Sequence, residues 1–207
     1  MIKKTLLLLI NLFSFIVYSQ DAKKPNIIMM IGDGMGISQI SSSMYSSSNY
    51  TPLERSEFIG LSKTHSLDNL VTDSAASGTA LSSGVKTYNG VLGLDENYNP
   101  VKSILEISRD NGYMTAILVT STIVHATPAA YYSKSKSRYK YERIADELSK
   151  SNINYFVGGG EKYFKDRDDQ RNLMKEMENL NFPILLFYSI SLFQQVRLRL
   201  EITITIL

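Results

Sequence analysis

Several short clusters in this sequence carry side chains able to do chemistry. Asp33 sits between glycines in Gly32-Asp33-Gly34-Met35-Gly36. Small neighbours there leave a carboxylate free to bind a hard or borderline cation; a plain Asp-Gly turn explains the same residues without an ion. Ser74 lies in Thr72-Asp73-Ser74-Ala75-Ala76, where a loop enters a helix. Backbone N–H groups at a helix start favour an anion such as phosphate, and small neighbours leave room for a substrate. The plain alternative is a cap, with Asp73 or Ser74 satisfying those N–H groups. His125 and Thr127, in His125-Ala126-Thr127-Pro128-Ala129, offer a nitrogen and an oxygen; a loop histidine is the plain alternative. Arg138 follows, and a guanidinium is shaped to grip two phosphate oxygens, although most surface arginines do nothing so specific. Gly158-Gly159-Gly160 lacks the Lys-Ser/Thr that completes a phosphate loop and reads as a tight turn. His65, in a polar stretch, reads as a surface or loop histidine.

These residues need elements to position them. Asn26 to Ile31 is a continuous apolar run, suited to a strand buried on both faces. It stops at the Asp33 turn, whose glycines tolerate unusual backbone angles. Ser41 to Asn49 reads as a helix end plus loop. Asp73 to Leu81 opens a helix that stops before Gly84. Pro100 to Asn111 predicts a helix with Pro100 in its first turn, Val101, Ile104, Leu105 and Ser108 on one face, and Gly112 at its exit. Tyr113 to Thr120 predicts another buried strand, Tyr139 to Ser149 a helix with Ile144 and Leu148 on one face, Ile153 to Val157 a strand, and Asp169 to Leu180 an amphipathic helix. Strands and helices alternate, which argues for an α/β fold with a mainly parallel central sheet flanked by helices. In such sheets ligands sit beyond the carboxyl ends of the strands.

The 207 residues suffice for one domain with a substantial core. Hydrophobic content of 43% and charged content of 20% are ordinary for a globular protein. Lys3 and Lys4 followed by the apolar stretch Thr5 to Tyr18 read as a secretory signal over residues 1–20, with Val17-Tyr18-Ser19 before the cleavage point. The stretch is short for a membrane span; an uncleaved anchor is the alternative, and either way the domain is exported, to the periplasm or outside the cell. Without that lysine pair the Lys and Arg residues number 20, equal to the 20 Asp and Glu. A balanced chain has no electrostatic footprint for nucleic acid or an anionic membrane. With no cysteine, disulfides, thiolate metal sites and cysteine nucleophiles are excluded.

Taken together and in order, the clusters resemble the alkaline phosphatases, from about Lys24 to about Leu180. The resemblance is carried by Ile31-Gly32-Asp33-Gly34-Met35-Gly36, by Val71-Thr72-Asp73-Ser74-Ala75-Ala76, which is similar to the family's nucleophile signature, by Gly84-Val85-Lys86-Thr87, by His125-Ala126-Thr127-Pro128-Ala129 and by Ser137-Arg138. It implies metal-dependent hydrolysis of phosphate monoesters through a phosphoserine, in a three-layer sandwich, with two Zn2+ and one Mg2+. Ser74 matches the nucleophile and a zinc ligand. Asp33 matches the carboxylate that binds one zinc and reaches the magnesium site. Asp73 matches the residue that orients the phosphate-binding arginine, which Arg138 matches. Thr127 matches a magnesium-site ligand. His125 stands where members have Asp or His, and His there alters the third metal site. Homodimers are implied for the full-length family.

The same resemblance puts several further ligands, mostly histidines, in the family's C-terminal half, whereas this chain has only His65 and His125. Residues 21–181 are therefore expected to be the N-terminal part of a phosphatase domain, incomplete and inactive by themselves. Residues 182–207 depart from the family pattern and read as an atypical, frameshifted tail; the strict alternation from Val196 to Ile206 offers a genuine edge strand as the alternative. Two other functions stay open. One is a non-catalytic fragment that binds phosphate weakly. The other is a related phosphodiester or sulfate-ester hydrolase, against which the Asp73-Ser74-Ala75 context argues.

Overall fold

A parallel pair of strands needs a long crossover between them, and here that crossover carries just over half of the buried hydrophobic residues described. The structure is a computed structural model that describes residues 25–184. The chain divides into two units between Gly32 and Asp33. The predicted signal at 1–20 and the alternation from Val196 lie outside the described residues.

In the first unit, residues 25–32 form neither helix nor strand. This corrects the strand expected over Asn26–Ile31: Ile27 is 73% and Met30 78% exposed. An apolar run becomes a buried strand only where a neighbouring strand satisfies its backbone groups, and the sheet of the described residues is two-stranded and does not include this run.

The second unit begins with α1 (Ile37–Ser46), which contains no buried residue. Its serine-rich end runs into a loop and a single 3-10 turn at Pro52–Arg55, as the composition indicates. Helix α2 (Ser74–Ser83) is built from Ala, Ser, Gly and Thr apart from Leu81. Small side chains let other segments approach closely, and Gly78 shows how closely: a Cβ there would stand 3.0 Å from the Cβ of Ala130. Gly84 ends the helix with φ +73°, a conformation that glycine adopts without steric cost.

Helix α3 (Ile104–Asp110) starts later than predicted. Ser103 accepts from the Glu106 N–H, and Glu106 accepts from the Ser103 N–H, a reciprocal cap that wins over Pro100. Pro100 instead pairs with Leu94 in an isolated bridge. Strand β1 (Ala116–Thr122) follows. Then come the short α4 (Ala126–Ala129), α5 (Tyr141–Ser149) and β2 (Tyr155–Gly159). The chain continues through α6 (Lys162–Lys165) and α7 (Leu173–Asn179).

β1 and β2 pair in parallel, with Ile117 opposite Phe156, and the register shifts before Thr122 meets Gly159. This is the α/β class expected, a parallel sheet with flanking helices. The strands are covered on one side: Ile117 is buried, whereas Leu118 is 56% exposed. The buried strand predicted for Tyr113–Thr120 is therefore corrected, because among the described residues the core packs against the Ile117 side. That core joins Ile144, Ala145 and Leu148 of α5 to Leu173, Phe164, Ile153 and Val124. Ile144 and Leu148 are four apart and face the same way, as the 3.6-residue period requires; burying each contributes roughly 2 kcal/mol. No helix among the described residues is long and apolar enough to cross a membrane.

Candidate phosphate and cation site

The nucleophile candidate is placed by a cap. Asp73 sits ahead of α2, and its Oδ1 accepts from the N–H groups of Ala75 and Ala76 at 3.1 and 2.9 Å. Helix starts leave such donors unsatisfied, so the cap fixes Ser74 as the first helical residue. Of the two readings of this motif, the structure shows the cap, which uses one oxygen of Asp73 and leaves the other. That second oxygen, Oδ2, takes an N–H from Arg138 at 3.0 Å and the backbone N–H of Gly90 at 3.0 Å. The Arg138 and Asp73 side chains are only 20% and 25% exposed. A guanidinium has five N–H donors in a planar fork, so one bond to Asp73 aims it and leaves others to serve an anion.

Asn89 and Gly90 form a clip that the sequence reading missed. Asn89 Oδ1 accepts from the Asp73 N–H at 2.9 Å, and its amide donates to the Val71 carbonyl at 3.0 Å. Its backbone N–H donates to Asp68; that bond, with the Ser66 hydroxyl, holds the Asp68 carboxyl below the usual range. The Gly90 carbonyl accepts from the Arg138 N–H at 2.8 Å. Gly90 has φ +84°, which a side chain would strain. The signal was the Asn89-Gly90 pair, one residue after Gly84-Val85-Lys86-Thr87. Such a pair reads as a turn, and nothing in that reading says its side chain reaches back sixteen residues to Asp73.

On the other side of Ser74 stands Asp33. Its Oδ1 accepts from the Ser74 hydroxyl at 3.1 Å and its Oδ2 from the Thr127 hydroxyl at 2.7 Å. Thr127 lies on α4, just beyond the carboxyl end of β1, where ligands of parallel sheets sit. One carboxylate thus gathers two hydroxyls over sequence separations of 41 and 94 residues. Hard cations take such oxygen donors. His125 precedes α4, and its ring faces Tyr141 at 6.3 Å. Among the described residues, no three His, Asp or Glu side chains gather as a cation site. The oxygens around Asp33 therefore fit part of a coordination shell, and nitrogen-rich zinc ligation is not assembled among them.

The remaining candidates behave plainly. His65 is exposed, and its carbonyl accepts from Lys86 Nζ at 2.6 Å. Gly158 and Gly159 finish β2, and Gly160 turns with φ +105°.

A family model described as alkaline phosphatase matches residues 24–181. Alkaline phosphatase 4 of Bacillus subtilis is 40% identical over 173 residues, which cover 76% of this chain and 37% of that protein. The repressible alkaline phosphatase of Saccharomyces cerevisiae is 36% identical over 164 residues, 73% of this chain and 29% of its own length. Among solved structures, the alkaline phosphatase of the Antarctic bacterium TAB5 superposes with a TM-score of 0.74 at 38% identity, covering 78% of this chain and 48% of that one. A histidine-to-aspartate variant of that enzyme, TM-score 0.72, has Mg bound in its M3 site. This chain spans less than half the length of these relatives.

Proposed function

Because the chain belongs to the alkaline phosphatase family, we propose that it supplies the nucleophile and the phosphate grip for hydrolysis of phosphate monoesters. Ser74 Oγ attacks phosphorus. The bond from phosphorus to the ester oxygen breaks, the leaving alcohol departs, and a phosphoserine remains for water to cleave. Ser74 directs its proton at Asp33 Oδ1, so the lone pair facing substrate is free. Arg138, aimed by Asp73, neutralises charge on the phosphoryl oxygens, which is where the transition state gathers it. The observation that carries this reading is the double use of Asp73: one carboxylate caps the helix that begins at Ser74 and holds Arg138 beside it.

Asp33, Ser74, Thr127 and His125 would hold cations in this reading, two Zn2+ and one Mg2+ in the complete enzyme. Bound there, they lower the pKa of the attacking hydroxyl and offset phosphate charge. The sequence holds two histidines, and only one stands at this site. For these residues alone we therefore expect phosphate binding without turnover. Export by the Lys3-Lys4 signal belongs to the same reading, as does action on small phosphate esters rather than nucleic acid.

The test is a titration of the full chain with inorganic phosphate, paired with hydrolysis of a chromogenic phosphate monoester at alkaline pH with zinc and magnesium added. Binding lost in Arg138→Ala, with no hydrolysis above the Ser74→Ala control, is the expected result. Binding that ignores Arg138 overturns the grip. Metal-dependent hydrolysis abolished in Ser74→Ala would keep the nucleophile and overturn the expectation of an incomplete site.

A further inference from the structure

The site described so far is one arc of a closed circuit of contacts, and the other arc is aromatic. Arg138 bonds Asp73, the neighbour of Ser74; Ser74 and Thr127 both donate to Asp33. Thr127 shares α4 with His125 at its start. The His125 ring lies 6.3 Å from Tyr141, and Tyr141 meets Tyr139 edge-on at 6.4 Å. The guanidinium of Arg138 lies 5.8 Å from the Tyr139 ring centre, which closes the circuit.

Three features make the aromatic arc more than filler. Tyr139 is 70% exposed although it adjoins a half-buried ion pair. Tyr141 is held from behind by Tyr163, ring centres 4.9 Å apart, and Tyr163 packs against the core. Its ring is thereby fixed while Tyr139 keeps an open face. Finally, in-line displacement puts the leaving oxygen on the far side of phosphorus from the attacking hydroxyl. A phosphoryl group held by Arg138 therefore sends its ester substituent away from Ser74, and Tyr139 is the exposed ring beside that guanidinium.

We propose that Tyr139, backed by Tyr141, is a stacking wall for the leaving group, so that this site prefers phosphate esters of planar aromatic alcohols over those of alkyl alcohols. The inference rests on the phosphate grip proposed above and adds the substrate class. Stacked or edge-on aromatic contacts need ring centres about 4.5–7 Å apart, and an exposed tyrosine face beside an anchored phosphate offers that spacing.

Non-hydrolysable phosphonates test it without turnover. The full chain, with magnesium present, is titrated with phenylphosphonate and with methylphosphonate, and amide shifts give each affinity. We expect phenylphosphonate to bind about fivefold more tightly, the factor expected of one aromatic contact. Tyr139→Ala should erase the difference, and Tyr139→Phe, which keeps the ring, should preserve it. Equal affinity for the two ligands, or a preference that survives Tyr139→Ala, overturns the wall while leaving the grip intact, because methylphosphonate still binds. If neither phosphonate nor inorganic phosphate binds, the grip itself fails and the wall with it.

Discussion

The two sides of Ser74 are anchored in different ways. On the phosphate side, Asp73 receives bonds from Ala75, Ala76, Gly90 and Arg138, and Asn89 ties the loop before it. On the cation side, Asp33 is exposed, precedes a helix with no buried residue, and reaches the rest of the site through two hydroxyls. Redundant bonds fix the angle of a guanidinium before any ligand arrives. A carboxylate held by two hydroxyls is positioned but can exchange those partners for an ion. In the function proposed above, the first side is a finished anion grip and the second an oxygen cluster that still has coordination to complete.

The sharpest way to break this contrast is to delete each carboxylate. Asp73→Ala removes the α2 cap and leaves Arg138 without its partner, so we expect a loss of about 3 kcal/mol. Asp33→Ala should cost below about 1 kcal/mol, the range for exposed groups. Urea unfolding of both variants checks this, and equal losses would erase the distinction.

Two smaller substitutions sharpen the phosphate side. Gly78→Ala pushes a methyl to 3.0 Å from Ala130 Cβ and should cost about 1–2 kcal/mol by overpacking, seen as a lower melting temperature. Asn89→Ala frees the Asp73 N–H and the Val71 carbonyl. It should cost about 1–2 kcal/mol and weaken phosphate binding. An Asn89→Ala chain that binds phosphate as the parent does would show the clip to be structural only.

Changes of pH give the mildest effects. Tyr132 is buried, with its hydroxyl donating to the Ile123 carbonyl beside α4. Burial, aided by Glu147, pushes its pKa well above the ordinary 10.0. The unfolded chain loses that proton first, so stability should fall as pH rises above 10.0, and Tyr132→Phe should flatten the slope. Far from the site, the Arg167 guanidinium holds the Asp169 carboxyl down to about 2. Stability from that pair is present above the unfolded value of 3.8 and is lost as pH falls from there towards 2. Asp169→Asn should remove this acid arm from a pH series of melting temperatures.

How much of this was legible depended on the range of the interaction. Ile144 and Leu148 revealed their helix because a helix face is a local pattern. Ser74 was legible as a helix start because its cap is its own neighbour. The strand expected at Asn26–Ile31 was misread, since an apolar run does not say whether a partner strand exists. The late start of α3 was misplaced because Ser103 and Glu106 cap each other more strongly than Pro100 initiates. Asn89 was invisible for a related reason: its work is done on residues 16 and 18 positions away. Arg138 was a candidate for its guanidinium, but its link to Asp73 came from resemblance alone; only the fold shows the two bonded.

The contrast between the two sides is tested most directly by phosphate affinity without added metal. Inorganic phosphate is titrated into the full chain, Arg138→Ala and Asp33→Ala. A finished grip predicts a loss of at least about tenfold in Arg138→Ala, the scale of a charged hydrogen bond. It also predicts binding at least as tight as the parent's in Asp33→Ala, because that change removes a negative charge beside Ser74. If Asp33→Ala weakens binding as much as Arg138→Ala does, the two sides are one cooperative unit, and the grip is not finished without its cation side.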